Sequence, residues 1–127
     1  HQPLHIGRYE DRGANRIYVK WFGRNSNLHR VWDSEMINSH NMSYSELALN
    51  LPNPDFLISA EEANDFKRGD VLNWVDEVHE YTNKIYGDVS IDDKLGYEYQ
   101  YKNFGTVKDL LLIGGIRLAK ILNYLFD

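Results

Sequence analysis

The sequence predicts a mainly α-helical, multi-helix bundle with one short β-strand or hairpin at about residues 16–22. Three observations carry that expectation. Apolar residues recur at helical spacing over 71–85 and again over 95–126. Helix-start signals stand ahead of apolar stretches: Ser43 with Glu46, Ser59 with Glu62, and Asp70 before Val71. Only Arg16 to Phe22 alternates with the two-residue period of a strand. With 127 residues, 43% hydrophobic and 26% charged, the chain can close one core, so a single domain is expected.

Residues 1–15 read as irregular, with Pro3 suited to a first turn or extended chain and Gly7 permitting a bend. Arg12-Gly13-Ala14-Asn15 reads as a turn. Ile17, Val19 and Trp21 alternate with Tyr18, Lys20 and Phe22, after which Gly23 to Ser26 turns the chain. Asn27 is placed to cap a helix over 28–37 that directs Leu28, Val31, Trp32 and Met36 to a core. Ser43 opens a short helix through Leu51, ended by Pro52 and Pro54, and Ser59 opens another, closed at Gly69. Asp70 caps a helix from Val71 to Ile85, with Val71, Trp74, Val75, Val78 and Ile85 on one face and Gly87 beyond its end. Residues 87–94 are acidic and turn-like.

From Leu95 to Phe126 the pattern is helical again, with Gly105 as a break. The middle of that segment is apolar nearly all round, which suits a central helix packed on several sides. Gly114-Gly115 would admit a close neighbour, at about 1 kcal/mol of helix propensity each. Tyr97, Tyr99 and Tyr101 admit two readings, base stacking or half-buried filler at a helix start, and the amphipathic pattern favours the second. His40 and His79 read as surface or capping residues.

Several classes are excluded or disfavoured. No apolar run approaches the length of a membrane span. The absence of cysteine rules out disulfides and thiolate metal sites. No secretory leader opens the chain, which fits a processed or truncated product better than a precursor. The net charge of −5 conceals an asymmetry. Before Asp33 the chain is rich in Arg8, Arg12, Arg16, Lys20, Arg24 and Arg30, whereas the remainder is acidic. A basic segment of this kind suits phosphate, although charge alone favours simple solvation of a loop and strand by these residues.

That basic segment also holds a candidate metal set. His29 and Asp33 are four apart, so on a helix they share a face about 5–6 Å apart at Cβ. His5, brought in by the fold, would complete a two-imidazole, one-carboxylate set of the kind that binds zinc with a fourth position open. From spacing alone, a solvated polar pair or a capped helix start is the favoured reading of His29 and Asp33.

The strings HQPLHIG, DRGANRIYVKWFG and NLHRVWDSEMI resemble the C-terminal half of the zinc-dependent, single-strand-specific nucleases of the S1/P1 type. The family pattern runs H-x-x-x-D-x-H-Q-P-L-H, then D-x-G-G-N, then N-L-H-H-V-W-D, and the likeness extends through SYSELALNL, GDVLNWVDEVHEY and GGIRLAKILN. The resemblance implies a phospholipase-C-like helical fold, of which residues 1–127 are the C-terminal part of a single domain whose N-terminal half is absent. It implies that His5, His29 and Asp33 hold one zinc of a three-zinc cluster, with a zinc-bound water as the catalytic group. The other ligands, including the H-x-x-x-D ahead of His1, lie outside this chain.

By the same resemblance, His1, Asp11 and Asn15 support a ligand or shape the loop; the charge asymmetry makes Arg8, Arg12, Lys20 and Arg30 phosphate-facing candidates. Ala14 replaces the pattern's second glycine, which argues against a positive φ there. Arg30 replaces a second histidine of many relatives. The implied activity is hydrolysis of single-stranded DNA and RNA, and of 3′-nucleotides, by a secreted or periplasmic protein. The expected partners are the nucleic-acid substrate and either the N-terminal half or a second copy of the chain, without which it should be inactive. Two alternatives stand beside it: a non-catalytic zinc-binding remnant needing a complementary chain, and a phospholipase-C-like relative.

Overall fold

The computed structural model describes residues 1–51 and 59–126. A 3-10 turn at Pro3–Ile6 opens the chain, where irregular backbone was expected. Gln2 serves its first N–H groups, the side chain accepting from Leu4 N at 2.5 Å and the backbone carbonyl from His5 N at 3.1 Å. Strand β1 (Tyr18–Trp21) pairs antiparallel with β2 (Arg24–Asn27), and β1 also pairs parallel with the two-residue β3 (Lys94–Leu95). Strand order in this small sheet is β2-β1-β3. The hairpin turn falls on Phe22-Gly23, with φ of 46° and 79°, not on Gly23 to Ser26. Two successive positive φ values match the twist of the flanking strands and bring Arg24 straight back into register with Trp21.

Asn27 caps helix α1 (28–38), its side chain accepting from Arg30 N at 2.8 Å. α1 is α-helical over Leu28–Arg30 and Met36–Asn38, with a π segment, Val31–Glu35, between them. Leu28, Val31, Trp32 and Met36 are buried as the periodicity predicts. Both capping boxes form, opening α2 (Tyr44–Leu49) and α3 (Ala60–Phe66). The prolines expected to end α2, Pro52 and Pro54, lie outside the described residues. Asp70 accepts from Leu72 and Asn73 to start α4 (Val71–Asp88), which runs through Gly87 instead of stopping before it. Trp74, Val78 and Ile85 are buried, whereas Val71 and Val75 are exposed.

The last helix, α5 (Tyr97–Phe126), departs most from the sequence pattern. It passes Gly105 without a break. Phe104 and Val107 on either side pack into the core, and that burial outweighs about 1 kcal/mol of glycine propensity. Among the described residues α5 is not packed on several sides: Val107, Leu110 and Arg117 are buried, while Leu111, Leu118, Leu122 and Leu125 are exposed. Gly114 is met by the ring of His1, at 3.1 Å from where a Cβ would sit. Arg117 joins α5 to α3, α4 and the N-terminus, pairing with Glu77 and donating to the Phe66 carbonyl at 2.9 Å and to His1 Nε2 at 3.0 Å.

The aromatic residues divide by role. Tyr99 is partly buried and its hydroxyl accepts from Trp32 Nε1 at 2.9 Å, whereas Tyr97 and Tyr101 are exposed and are not filler. His40 is no bare surface residue, since its ring stacks on Phe104 at 3.7 Å and bonds to Gln100. The core gathers Leu4, Val19, Trp21, Leu28, Val31, Trp32 and Met36 from the first part of the chain against Ile85, Val89, Leu95 and Val107 from the second. The 3-10 turn that carries His5 packs against α4.

Candidate metal centre

Two short elements position the candidate ligands. The 3-10 turn presents His5, and it is tied down by Thr82 of α4, whose buried Oγ1 donates to the Pro3 carbonyl at 2.7 Å. Helix α1 presents His29 and Asp33 across the start of its π segment. The wider turn keeps positions four apart on one side, and π insertions of this kind occur often at functional sites. One ligand atom from each of His5, His29 and Asp33 lies within 4.8 Å of the others. The two imidazoles stack at 5.3 Å, and His5 Nε2 is 3.5 Å from Asp33 Oδ1. His5 and Asp33 are exposed, which keeps their coordinating atoms open to water and substrate.

His29 is oriented by the backbone. Its Nδ1–H donates to the Gly13 carbonyl at 2.7 Å, so in the neutral ring the lone pair lies on Nε2. Gly13 makes this possible: it has φ +64°, and a Cβ there would sit 2.3 Å from the Leu4 carbonyl oxygen. The residues on either side share its left-handed conformation, Arg12 at 57° and Ala14 at 64°. Ala14 thus adopts the positive φ that its side chain argues against, because Asp11 Oδ1 accepts from its N–H at 2.7 Å and its methyl is fully buried. The orienting carbonyl of Gly13 was invisible as a site residue in the sequence; the glycine itself was the only available signal.

The other candidates sort by location. Asp11 also accepts from the Tyr86 hydroxyl at 2.8 Å, and Asn15 donates to the Arg12 carbonyl at 2.9 Å, so both brace the loop. Burial, the first cause, pushes the Tyr86 hydroxyl above its ordinary pKa, so it stays a donor to Asp11. Arg8 and Arg12 line an open cavity of about 670 Å³ together with His5 and His29. Arg16 lines it too and was not singled out, because a strand-flanking arginine carries no spacing signal. Lys20 and Arg30 are turned to other partners, Lys20 to Asn25 across the hairpin and Arg30 to Glu35 at 3.3 Å. His1 lies on the far side of the turn, against Gly114 and Arg117, and with Asp33 borders an apolar groove of about 480 Å³ between α1 and α5.

The family model described as S1/P1 Nuclease matches residues 1–127. Endonuclease 5 of Arabidopsis thaliana is 35% identical over 142 residues, covering 100% of this chain and 47% of that protein. Endonuclease 4 of the same plant is 33% identical over 145 residues, with 100% and 46% covered, and Endonuclease 2 is 31% identical over 147 residues, with 99% and 47% covered. The chain spans about half the length of the curated relatives it matches.

Proposed function

The chain belongs to the S1/P1 nuclease family, and from that membership we propose that it forms the zinc-binding C-terminal part of a phosphodiesterase acting on single-stranded DNA, RNA and 3′-nucleotides. The observation that carries this reading is the convergence of His5, His29 and Asp33 within 4.8 Å. Two imidazoles and a carboxylate are a donor set that zinc accepts, with a fourth position left for water or a phosphate oxygen. When bound, zinc would supply Lewis-acid stabilisation of the phosphate and a more acidic water. The chain's own residues do the positioning. Gly13 fixes the His29 tautomer, Thr82 anchors the turn that carries His5, and Asp33 provides the negative charge that balances a cation.

Coverage of half the length of its relatives favours a second reading for the chain by itself, a zinc-binding element that needs a complementary segment before it hydrolyses anything. Operation outside the cytoplasm, secreted or periplasmic, is part of the proposal and follows from the family alone. The test is zinc content after desalting, together with cleavage of a single-stranded oligonucleotide, in the natural protein and in its His29→Ala variant. Zinc and cleavage should both fall in the variant. Equal zinc in the two would overturn the ligand assignment, and cleavage unaffected by chelation would overturn the metal-dependent reading.

A further inference from the structure

Arg8, Arg12 and Arg16 line the same open cavity as His5 and His29, and Glu10 is the one carboxylate residue among its lining. In a chain of net charge −5, this is a local concentration of fixed positive charge against the candidate metal centre. A guanidinium does not lose its proton at physiological pH, and its planar fork matches two phosphate oxygens at once.

The arginines are mounted on a braced loop. Gly13 N donates to the Arg8 carbonyl at 2.8 Å, Arg12 N to the Tyr9 carbonyl at 3.1 Å, and Arg16 N to the Asp11 carbonyl at 3.0 Å. The Arg8 guanidinium lies 4.3 Å from the centroid of the Tyr86 ring, and Arg8 N donates to the Tyr86 hydroxyl at 3.1 Å. Arg16 Nη1 donates to the Glu10 carbonyl at 2.9 Å, which fixes its fork while leaving its other N–H groups to a ligand. Arg12 is held at φ 57°, a conformation that costs a non-glycine residue about 1–2 kcal/mol. Such strain persists where the surrounding structure imposes it.

We propose that this cavity seats the phosphate groups of a single-stranded nucleic acid that flank the one at the metal centre, and so selects a polymer over a mononucleotide. The inference deepens the proposed nuclease reading and rests on it. The recognised chemistry is phosphate oxygen, which a strand's neighbouring phosphates or free inorganic phosphate would both supply. A cavity of about 670 Å³ beside the metal ligands leaves room for the strand to continue.

The test uses the natural protein in chelator, so that metal plays no part. Binding of a fluorescein-labelled oligothymidylate is followed by anisotropy across a salt series. Each single-strand phosphate contact contributes about 0.7 to the slope of log affinity against log salt. Joint replacement of Arg8, Arg12 and Arg16 by Ala should make the slope shallower by about 2 and lower low-salt affinity more than about tenfold. Joint replacement of Lys84, Lys102 and Lys108 by Ala removes the same charge elsewhere and should leave the slope unchanged. Arg12→Gly relieves the positive φ, so it folds at least as well, and should still reduce the slope by about 0.7. Unlabelled oligothymidylate should compete far better than inorganic phosphate at equal phosphate concentration. An unchanged slope in the arginine variants, an equal loss in the lysine variant, or equal competition by inorganic phosphate would overturn the proposal. Zinc content of the same proteins, desalted without chelator, reports on the metal reading separately, since a slope measured in chelator does not depend on it.

Discussion

At the residue scale the centre depends on a hydrogen bond that no spacing rule announces. The His29 ring is set by the Gly13 carbonyl, and Gly13 is required both by its φ of +64° and by the Leu4 carbonyl packed against it. Gly13→Ala should therefore destabilise the protein by more than about 1 kcal/mol and also weaken zinc retention, because relief of the clash moves the carbonyl that orients His29. Thermal unfolding and elemental analysis of the same sample check both effects. A variant that unfolds at lower temperature while holding zinc as tightly as the parent would break the link between loop and ligand.

At the scale of elements, α4 acts as the backboard of the ligand-bearing turn. Thr82, 1% exposed, donates to the Pro3 carbonyl from the middle of that helix. Thr82→Val keeps the shape but leaves the carbonyl without its partner, and should cost about 1–3 kcal/mol. Urea unfolding measures this, and a change within a few tenths of a kcal/mol would mean that the turn is held by its apolar contacts instead.

The contact between α1 and α5 carries a pH signature. The Tyr99 hydroxyl is pushed up to about 12 from 10.0, first because burial disfavours the phenolate, with Asp88 adding to the shift and the Trp32 N–H opposing it. A raised folded-state pKa means this stabilisation is complete below the unfolded value of 10.0 and is lost as pH climbs toward about 12. Tyr99→Phe should be less stable than the parent near neutral pH, since Trp32 Nε1 loses its acceptor, yet should lose less melting temperature between about pH 10 and about pH 12. Parallel melting curves over that window would show that Tyr99 does not couple α1 to α5.

At the scale of the whole molecule, one side is left open. Leu111, Leu118, Leu122 and Leu125 on α5 are exposed, and the apolar groove between α1 and α5 borders Asp33. Monomers rarely present a contiguous apolar face beyond a few hundred Å². The chain by itself is therefore expected to self-associate or to require a covering segment, and to cleave single-stranded nucleic acid weakly or not at all. Light scattering decides the first point: a monodisperse, cooperatively melting monomer near 14.9 kDa would show that the groove tolerates water. Robust chelator-sensitive cleavage by that monomer would show that the three ligands of this chain suffice.

The sequence by itself determined the local physics: helix starts at Asn27, Ser43, Ser59 and Asp70, the inward face of α1, and the alternation of β1. Each depends on side chains within a few residues of one another, so periodicity and capping patterns reveal them. His29 and Asp33 were legible as a pair for the same reason, and the family motifs added His5. Tertiary structure decided what depends on distant neighbours. β3 has only two residues and no pattern of its own, and exists because Lys20 and Phe22 donate to Asp93 and Leu95 across the sheet. Ala14 takes a positive φ because Asp11 and the core hold it there. Gly105 stays helical because its flanks are packed, and α5 reads as central although one of its faces meets no described neighbour. An apolar stripe records that a surface is made to be covered, and only the assembled fold shows which part of it this chain covers.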